Sequence, residues 1–318
     1  MGAAAGAGPG PGGSVSAGGR EYPPQDHVLR HLRLSHRHDA DGSVTAAMPV
    51  LPDLCDADGR LRLGAVATLV DSVAGRHSVA RVAPDWVATM HLGIVLTARA
   101  EGDFVTAACT PVRVGRNHVV AEVAVSDAAG TPVARSTCTY VRLGRRADTP
   151  EAGTSTRSRA VDYREEKEVS PRPPLDEYLR ISPVPGRPLI ELPLHRRIVN
   201  SFGSLQGGVS VVVAEVMAEH MAAGNLDGAG PAGRPLSTAA GRPRCTAADV
   251  HYLAPARIGP IRATGETLTA GAHSTTVRVR CFDVGNADRL IQLATATAEF
   301  PAVGFPAAAA LAPNLRPR

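Results

Sequence analysis

The sequence carries one pattern twice, at a constant spacing of 144 residues. In each copy a proline precedes a glycine that opens an apolar run, and a carboxylate follows seven residues after that glycine. The matching pairs are Pro49 and Pro193, Gly64 and Gly208, and Asp71 and Glu215. Repetition in constant register predicts two copies of one domain, and 318 residues leave room for two domains that each bury a core.

Composition limits the partners of such a chain. Its 34 Lys and Arg against 30 Asp and Glu give a net charge of +4 without a dense basic cluster. This argues against nucleic-acid binding and suits a basic rim around a pocket for a phosphorylated small molecule. No apolar run approaches the roughly 18 residues of a membrane span. Because aromatic residues make up only 3%, we expect cores and any ligand tunnel to be lined by aliphatic side chains.

The cysteines indicate a cytoplasmic protein with free thiols. They are Cys55, Cys109, Cys138, Cys245 and Cys281, widely spaced, without a CxxC motif or histidines at metal-ligand spacing. We therefore expect no disulfide, no metal ion and no redox cofactor.

Composition also divides the chain into five segments. We predict a disordered leader at 1–24, a first domain at 25–145, a linker at 146–174, a second domain at 175–303 and a tail at 304–318. Within the second domain, the Gly- and Pro-rich stretch 224–243 is predicted to be a long loop.

Both halves predict the same order of elements. The first half predicts a buried apolar helix at 63–74 and strands at 89–98, 104–114, 118–126 and 132–142. The second half predicts a helix at 208–222 and strands at 246–253, 261–268, 275–283 and 290–300. One buried helix followed by antiparallel strands indicates an α+β architecture, a sheet wrapped around a central helix, present twice.

This order of motifs resembles the hotdog fold, and more narrowly the acyl-CoA thioesterases of the phenylacetate-pathway (PaaI-like) type. That family's signature runs from Asn through His-Gly-Gly to an acid, then to a strand that opens with Thr or Ser. The second half is similar at Asn200, Gln206, Gly207, Gly208, Glu215 and Thr246, and the first half at Asp56, Arg62, Leu63, Gly64, Asp71 and Thr89. The resemblance implies two tandem hotdog domains.

The resemblance also implies composite sites, each with the glycine turn of one copy and the acid of the other. The first would combine Asp71 and Thr89 with Asn200, Gln206, Gly207 and Gly208. Thioester hydrolysis needs N–H donors for an oxyanion and a carboxylate that activates water. We expect the N–H groups of Gly207 and Gly208 to supply the donors, with Asn200 or Gln206 as a further donor. Asp71 would be the base and Thr89 would orient the water, although a tight turn, a solvated acid and an ordinary strand threonine remain open alternatives.

The second composite site is predicted to be degenerate. It would combine Glu215 and Thr246 with Asp56, Arg62, Leu63 and Gly64. Leu63 puts a branched side chain where the family has its first glycine, and Arg62 replaces the family's histidine. Asp56 places a negative charge beside a developing oxyanion, which is the wrong sign. In the first site Gln206 also replaces that histidine, so positioning can persist without proton transfer.

Three further residues, Arg113, Arg116 and Asn117, lie near a strand turn where members of the family meet the phosphates of coenzyme A. They are candidates for substrate binding, although exposed arginines are common in this chain. His91 and His251 lie in predicted strands and are interpreted as structural.

The resemblance implies an acyl-CoA thioesterase that takes coenzyme A thioesters as substrate and assembles as a homodimer of double-hotdog chains. The alternative is a non-catalytic protein that binds acyl-CoA or regulates through it. A hotdog hydratase is disfavoured, because we find no paired Asp and His at the spacing of that chemistry.

Overall fold

A computed structural model of the protein describes residues 14–15, 21–144, 159–163, 172–224 and 242–300. Most of the predicted leader, most of the linker, residues 225–241 of the predicted loop and the whole tail lie outside the described residues.

The described residues form fifteen strands and four α-helices, of which two helices are long. In chain order they are β1 (Ser14–Val15), β2 (Glu21–Tyr22), α1 (Val28–His31), β3 (Ser35–His38), β4 (Val44–Pro49), α2 (Leu63–Val82), β5 (Trp86–Leu96), β6 (Phe104–Val114), β7 (His118–Asp127), β8 (Pro132–Leu143), β9 (Arg159–Asp162), α3 (Leu175–Leu179), β10 (Ser182–Pro183), β11 (Leu189–Leu192), α4 (Gly207–Ala222), β12 (Arg244–Tyr252), β13 (Ile261–Ala270), β14 (Ser274–Asp283) and β15 (Arg289–Glu299). The eight strands predicted after the two helices are confirmed, with ends that differ by three residues or fewer.

Helix α2 is longer than predicted. The apolar run predicts a helix that ends at Ala74, but the helix continues to Val82. His77 is buried, and the half-buried Arg76 donates to the Tyr163 hydroxyl at 2.6 Å. The helix ends just before Pro84, whose ring disfavours helical backbone in the preceding residue.

Thirteen strands form one antiparallel sheet that covers both long helices. Its order is β10-β11-β13-β14-β15-β12-β5-β8-β7-β6-β4-β3-β9. The two halves of the chain meet at the centre, where β5 pairs with β12 and His91 lies directly opposite His251. No helix in the described part of the chain has both the length and the apolar content to span a bilayer.

A bulge divides β5 into two parts. Thr89 pairs with Tyr140 of β8 and His91 pairs with Thr139, so Met90 is the extra residue. Residues on either side of a bulge lose the usual alternation of faces. Thr89 therefore faces the helices, whereas His91 faces the outer side of the sheet.

Helices α2 and α4 approach each other closely at two glycines. A Cβ on Gly64 would lie 2.5 Å from Val212 Cγ2, and a Cβ on Gly208 would lie 2.6 Å from Thr68 Oγ1. Thr68 and Val212 are themselves 144 residues apart, so the two contacts are equivalent in the repeat. The repeated glycine is thus required first of all by helix packing.

Two segments predicted to lie outside the domains contain short strands: β9 joins the large sheet, and β1 and β2 form a separate two-stranded sheet. Within the predicted linker, β9 pairs with β3 over four residues and buries Val161. At the end of the predicted leader, β2 pairs with β1. Parts of the predicted leader and linker thus form short strands, whose partners do not show in the local sequence pattern.

Candidate active site

Asp71 lies on α2 where this helix faces the beginning of α4. Its Oδ1 accepts a hydrogen bond from the Thr89 hydroxyl at 3.0 Å. Its Oδ2 accepts one from the Gln206 side-chain amide at 3.1 Å and another from the Gly208 backbone N–H at 3.2 Å. The structure thus brings three residues of the predicted first site onto the Asp71 carboxylate, with both halves of the chain contributing.

Gln206 has two roles at this point. It is the N-cap of α4, where its side-chain oxygen accepts from the Val209 N–H at 3.2 Å, while its Nε2 donates to Asp71. A side-chain amide can do both at once because it carries a donor and an acceptor. Gln206 therefore fits the local geometry at the start of α4.

Gly207 and Gly208, at the start of α4, have different roles in the site. A Cβ on Gly207 would lie 2.8 Å from Asp71 Oδ2, so this glycine lets the carboxylate approach the helix end. The N–H of Gly208 is already bonded to Asp71, which corrects the expectation that it would hold an oxyanion. Among the described residues, the Gly207 N–H has no hydrogen-bond acceptor, so it is the backbone donor that remains for a substrate.

Two tyrosines that the sequence did not single out hold this arrangement. Tyr140 lies on β8, and its hydroxyl donates to the Asp71 carbonyl at 3.3 Å and lies 3.4 Å from Oδ1. Tyr252 lies on β12 and donates to the Gly207 carbonyl at 2.7 Å. Their positions in alternating strands predicted burial alone, without a signal for function.

The environment of Asp71 raises its pKa. The side chain is 8% exposed, and burial raises the pKa of Asp71 above its ordinary value. Hydrogen bonds from Thr89, the Gly208 N–H and Tyr140 oppose this shift because they stabilise the carboxylate. A carboxylate in such surroundings is a stronger base than a solvated aspartate.

Glu215 occupies the equivalent position on α4, but it is fully buried. It is 0% exposed, and its two oxygens accept from the N–H groups of Leu63 at 2.9 Å and Gly64 at 3.1 Å. The longer glutamate thus uses both N–H groups of the opposite helix end. No backbone donor of Leu63 or Gly64 is left for a substrate.

Arg62 turns this second position into an ion cluster. Its Nη1 lies 2.8 Å from Asp176 Oδ1, its Nε 3.6 Å from Glu215 Oε1 and its Nη2 3.6 Å from Glu219 Oε2. Burial raises the pKa of Glu215, and burial together with the Glu215 charge raises the pKa of Glu219 to about 8. The cluster has the features of a structural anchor.

Asn200 and Asp56 do not contact either carboxylate. Asn200 Oδ1 accepts from the N–H groups of Phe202 and Ser204, and Asp56 Oδ1 accepts from those of Asp58 and Arg60. Both side chains close the same turn before a long helix. This turn geometry uses the Asn200 Oδ1 and leaves its role as an oxyanion donor a prediction, whereas the Asp56 side chain is engaged in its own turn and not beside a carboxylate.

A cavity of about 1450 Å³ opens onto Asp71. Thr89, Gln206 and Gly207 line it together with Asn200. Glu215, Leu63 and Gly64 do not border it. The predicted second site therefore has no access to this cavity.

The cavity wall is more aromatic than the composition suggests. It includes Tyr22, Trp86, Tyr140, Phe202 and Tyr252. Trp86 and Phe202 meet edge to face, with ring centroids 5.2 Å apart. The expectation of an aliphatic tunnel is therefore wrong for this cavity, because five of the eleven aromatic residues of the chain line it.

Polar side chains line the cavity beyond Asp71 along the same face of α2. Ser72 Oγ lies 2.9 Å from His36 Nε2, and Arg76, one turn later, donates to Tyr163. The sequence does not point to either pair, because His36 and Tyr163 lie on segments without a motif. Their presence makes this part of the cavity suitable for polar groups of a ligand.

The remaining predicted residues lie elsewhere. Thr246 lines a separate cavity of about 400 Å³ that Glu215 does not border. Arg113, Arg116 and Asn117 lie at the exposed turn between β6 and β7 and do not line the large cavity. The structure therefore does not bring these three residues to the candidate site.

Solved structures share the fold of this chain. An acyl-ACP thioesterase from Bacteroides thetaiotaomicron is similar with a TM-score of 0.50 and 14% identity, over 81% of this chain and 98% of that one. The TesB protein of Mycobacterium avium subspecies paratuberculosis is similar with a TM-score of 0.50 and 11% identity, over 81% and 93%. No protein-family model and no curated protein matches the sequence. At these identities the similarity shows the fold, a mostly antiparallel sheet with few helices, that thioesterases also have.

Proposed function

We propose that the protein hydrolyses acyl-CoA thioesters, and that its two halves are tandem hotdog domains with one working site between them. The observation that carries this proposal is the Asp71 carboxylate, which Thr89, Gln206 and the Gly208 N–H hold at the edge of a large cavity. The names of the similar structures, and the resemblance to the phenylacetate-pathway type, support the choice of reaction.

In the proposed reaction Asp71 accepts a proton from a water molecule that attacks the thioester carbonyl. Thr89 and Gln206 can each bind this water as well as the carboxylate, because a hydroxyl and an amide offer further hydrogen bonds. Burial strengthens the base, and the fixed donors keep it aligned.

The carbonyl oxygen becomes an oxyanion that the Gly207 N–H stabilises at the positive end of α4. Collapse of this intermediate breaks the C–S bond. The protonated Asp71 then returns its proton to the leaving thiolate, so that one thioester and one water give one acid and one thiol.

The cavity is large enough for an acyl group and part of its carrier. Arg81 and Arg257 line it and are exposed, and arginine suits phosphate groups by its charge and fork geometry. We therefore prefer these two residues to Arg113 and Arg116 as contacts for the phosphates of coenzyme A.

The repeat offers a matched test. Asp71→Asn removes the base at nearly constant shape, and Glu215→Gln makes the equivalent change at the sealed position. With a panel of acyl-CoA substrates and a free-thiol assay, we expect Asp71→Asn to lower kcat by about 100-fold or more. Glu215→Gln should keep kcat within about threefold.

Two outcomes would sink the proposal. Asp71→Asn with wild-type turnover would remove the base from the mechanism. Acyl-CoA that raises the Tm of the wild-type chain without being consumed would favour the non-catalytic binding protein instead.

A further inference from the structure

A second group of chemically active side chains lies on the outer face of the sheet. His91 is on β5 of the first half, and Asp249 and His251 are on β12 of the second half. The neighbouring Leu92 and Val250 point inward and are buried. The group therefore lies on the side of the sheet opposite to Asp71, at the seam between the halves.

The three side chains converge on one point. Asp249 Oδ2 lies 2.8 Å from His91 Nε2, and Asp249 Oδ1 lies 3.2 Å from His251 Nε2. The ligand atoms of the three residues all lie within 4.8 Å of one another. The two imidazoles face each other with ring centroids 5.0 Å apart.

The backbone makes room for this convergence. Gly93 lies directly opposite Asp249, and a Cβ there would be 3.3 Å from Asp249 Oδ2 and from His91 Cε1. Because glycine leaves this space free, the Asp249 side chain can lean diagonally across the strand pair to His91. The bulge at Met90 contributes as well, since it allows His91 to face outward while Thr89 faces the active site.

We propose that His91, Asp249 and His251 form a binding site for a divalent transition-metal ion, with Zn²⁺ as the best match. Two imidazole nitrogens and one carboxylate oxygen are ligands that Zn²⁺ takes at about 2.0–2.2 Å, commonly as three protein ligands plus water. His251 and Asp249 are more than half exposed, so solvent can complete the coordination. This departs from the sequence-based expectation of no metal.

The site joins the two halves of the chain across their shared strand pair. One ligand comes from the first half and two from the second, so a bound ion links β5 to β12 in addition to the backbone hydrogen bonds. Because the ion lies on the other side of the sheet from Asp71, it acts on stability and takes no part in the proposed hydrolysis.

Titration of ZnCl₂ into the full-length, chelator-treated protein by isothermal calorimetry tests this site. We expect one Zn²⁺ per chain and a higher Tm in its presence. Loss of even an outer hydrogen-bond partner of a metal ligand costs about 10–100-fold in affinity, so His91→Ala and His251→Ala should each weaken binding by about 100-fold or more. His118→Ala, at an exposed histidine elsewhere, is the control and should bind as the wild type does.

Asp249→Asn keeps the size of the side chain and removes only the anionic ligand, so it tests the site if an alanine variant does not fold. It should also weaken Zn²⁺ binding. The proposal is overturned if the wild type does not bind Zn²⁺, if the ligand variants bind it as tightly as the wild type, or if His118→Ala loses as much affinity as they do.

Discussion

Replacing Gly208 by alanine tests the helix contact on which the geometry of the carboxylate depends. The new Cβ would lie 2.6 Å from Thr68 Oγ1 and 2.8 Å from Thr68 Cβ, and the Thr68 backbone Cα is closer still. Ordinary carbon contacts are about 3.5–4.0 Å. Because a backbone atom cannot rotate aside, α4 has to move away from α2 by about 1 Å.

This movement has a cost in stability and a cost in rate. Overpacking of a well-packed core costs about 1–3 kcal/mol, and we expect about 3 kcal/mol because backbone blocks the new methyl group. At about 2–4 °C per kcal/mol, the Tm should fall by about 6–12 °C. The shift also moves the Gly208 N–H and the Gln206 amide away from Asp71, and a misplacement of about 1 Å can lower the rate about 100-fold.

Gly64→Ala is the matched control, since its Cβ would lie 2.5 Å from Val212 Cγ2 and 2.9 Å from Val212 Cα. It should lower the Tm by a similar amount, but its N–H binds Glu215, so kcat should change by less than about fivefold. Thermal unfolding by circular dichroism and the free-thiol assay at 25 °C measure both effects. An unchanged Tm in Gly208→Ala refutes the close helix contact, and equal losses of kcat in the two variants refute the role of the N–H alignment.

Two experiments at varied pH test the charges on the two carboxylates. The acid limb of the kcat/KM profile should lie above the ordinary aspartate pKa, because burial raises the pKa of Asp71 and only its carboxylate accepts a proton. Thr89→Val removes a hydrogen bond that stabilises this carboxylate, so it should move the acid limb to higher pH. An unchanged acid limb in Thr89→Val contradicts the contact between Thr89 and Asp71. Arg62→Met should lower the free energy of unfolding by about 3 kcal/mol at pH 8, because Glu215 loses its buried cation. The folded-state pKa of Glu215 is already raised, so the loss of unfolding free energy in Arg62→Met should be smaller at pH 5, where the Glu215 carboxyl takes up a proton more readily. Urea unfolding that shows a larger loss at pH 5 than at pH 8 contradicts this prediction.

Local periodicity was enough to predict both long helices and the strands that follow them. Apolar residues all around 208–222 indicate a buried helix, and alternation over 104–114 indicates a strand, without knowledge of the tertiary structure. The end of α2 was predicted too early because Arg76 and His77 look like solvent-facing residues. Arg76 finds its partner in Tyr163, a contact between residues 87 positions apart that only the folded chain brings together, and His77 is buried.

The candidate site could be predicted in part from the repeat together with the family resemblance. Asp71 and Gln206 were singled out in this way, but the function of each neighbour depends on contacts that spacing does not encode. Asn200 illustrates the difficulty, because the amide that would suit an oxyanion donor is also the residue type that closes a turn. Trp86 and Phe202 illustrate a second difficulty, because two aromatic residues from different halves of the chain form a cavity wall only after folding.

The sealed cluster around Glu215 has a consequence for how such a chain can change over evolutionary time. In a dimer of two identical single copies, every substitution appears in both composite sites at once. A leucine in place of the first glycine of the turn, or an arginine next to the acid, would then impair both sites of such a dimer. In the proposed fused arrangement this coupling is absent, because Leu63 and Arg62 surround Glu215, whereas Gly207 and Gln206 surround Asp71. The position around Glu215 can then hold an ion cluster between the two helices, while the proposed site at Asp71 keeps its hydrogen-bond donors.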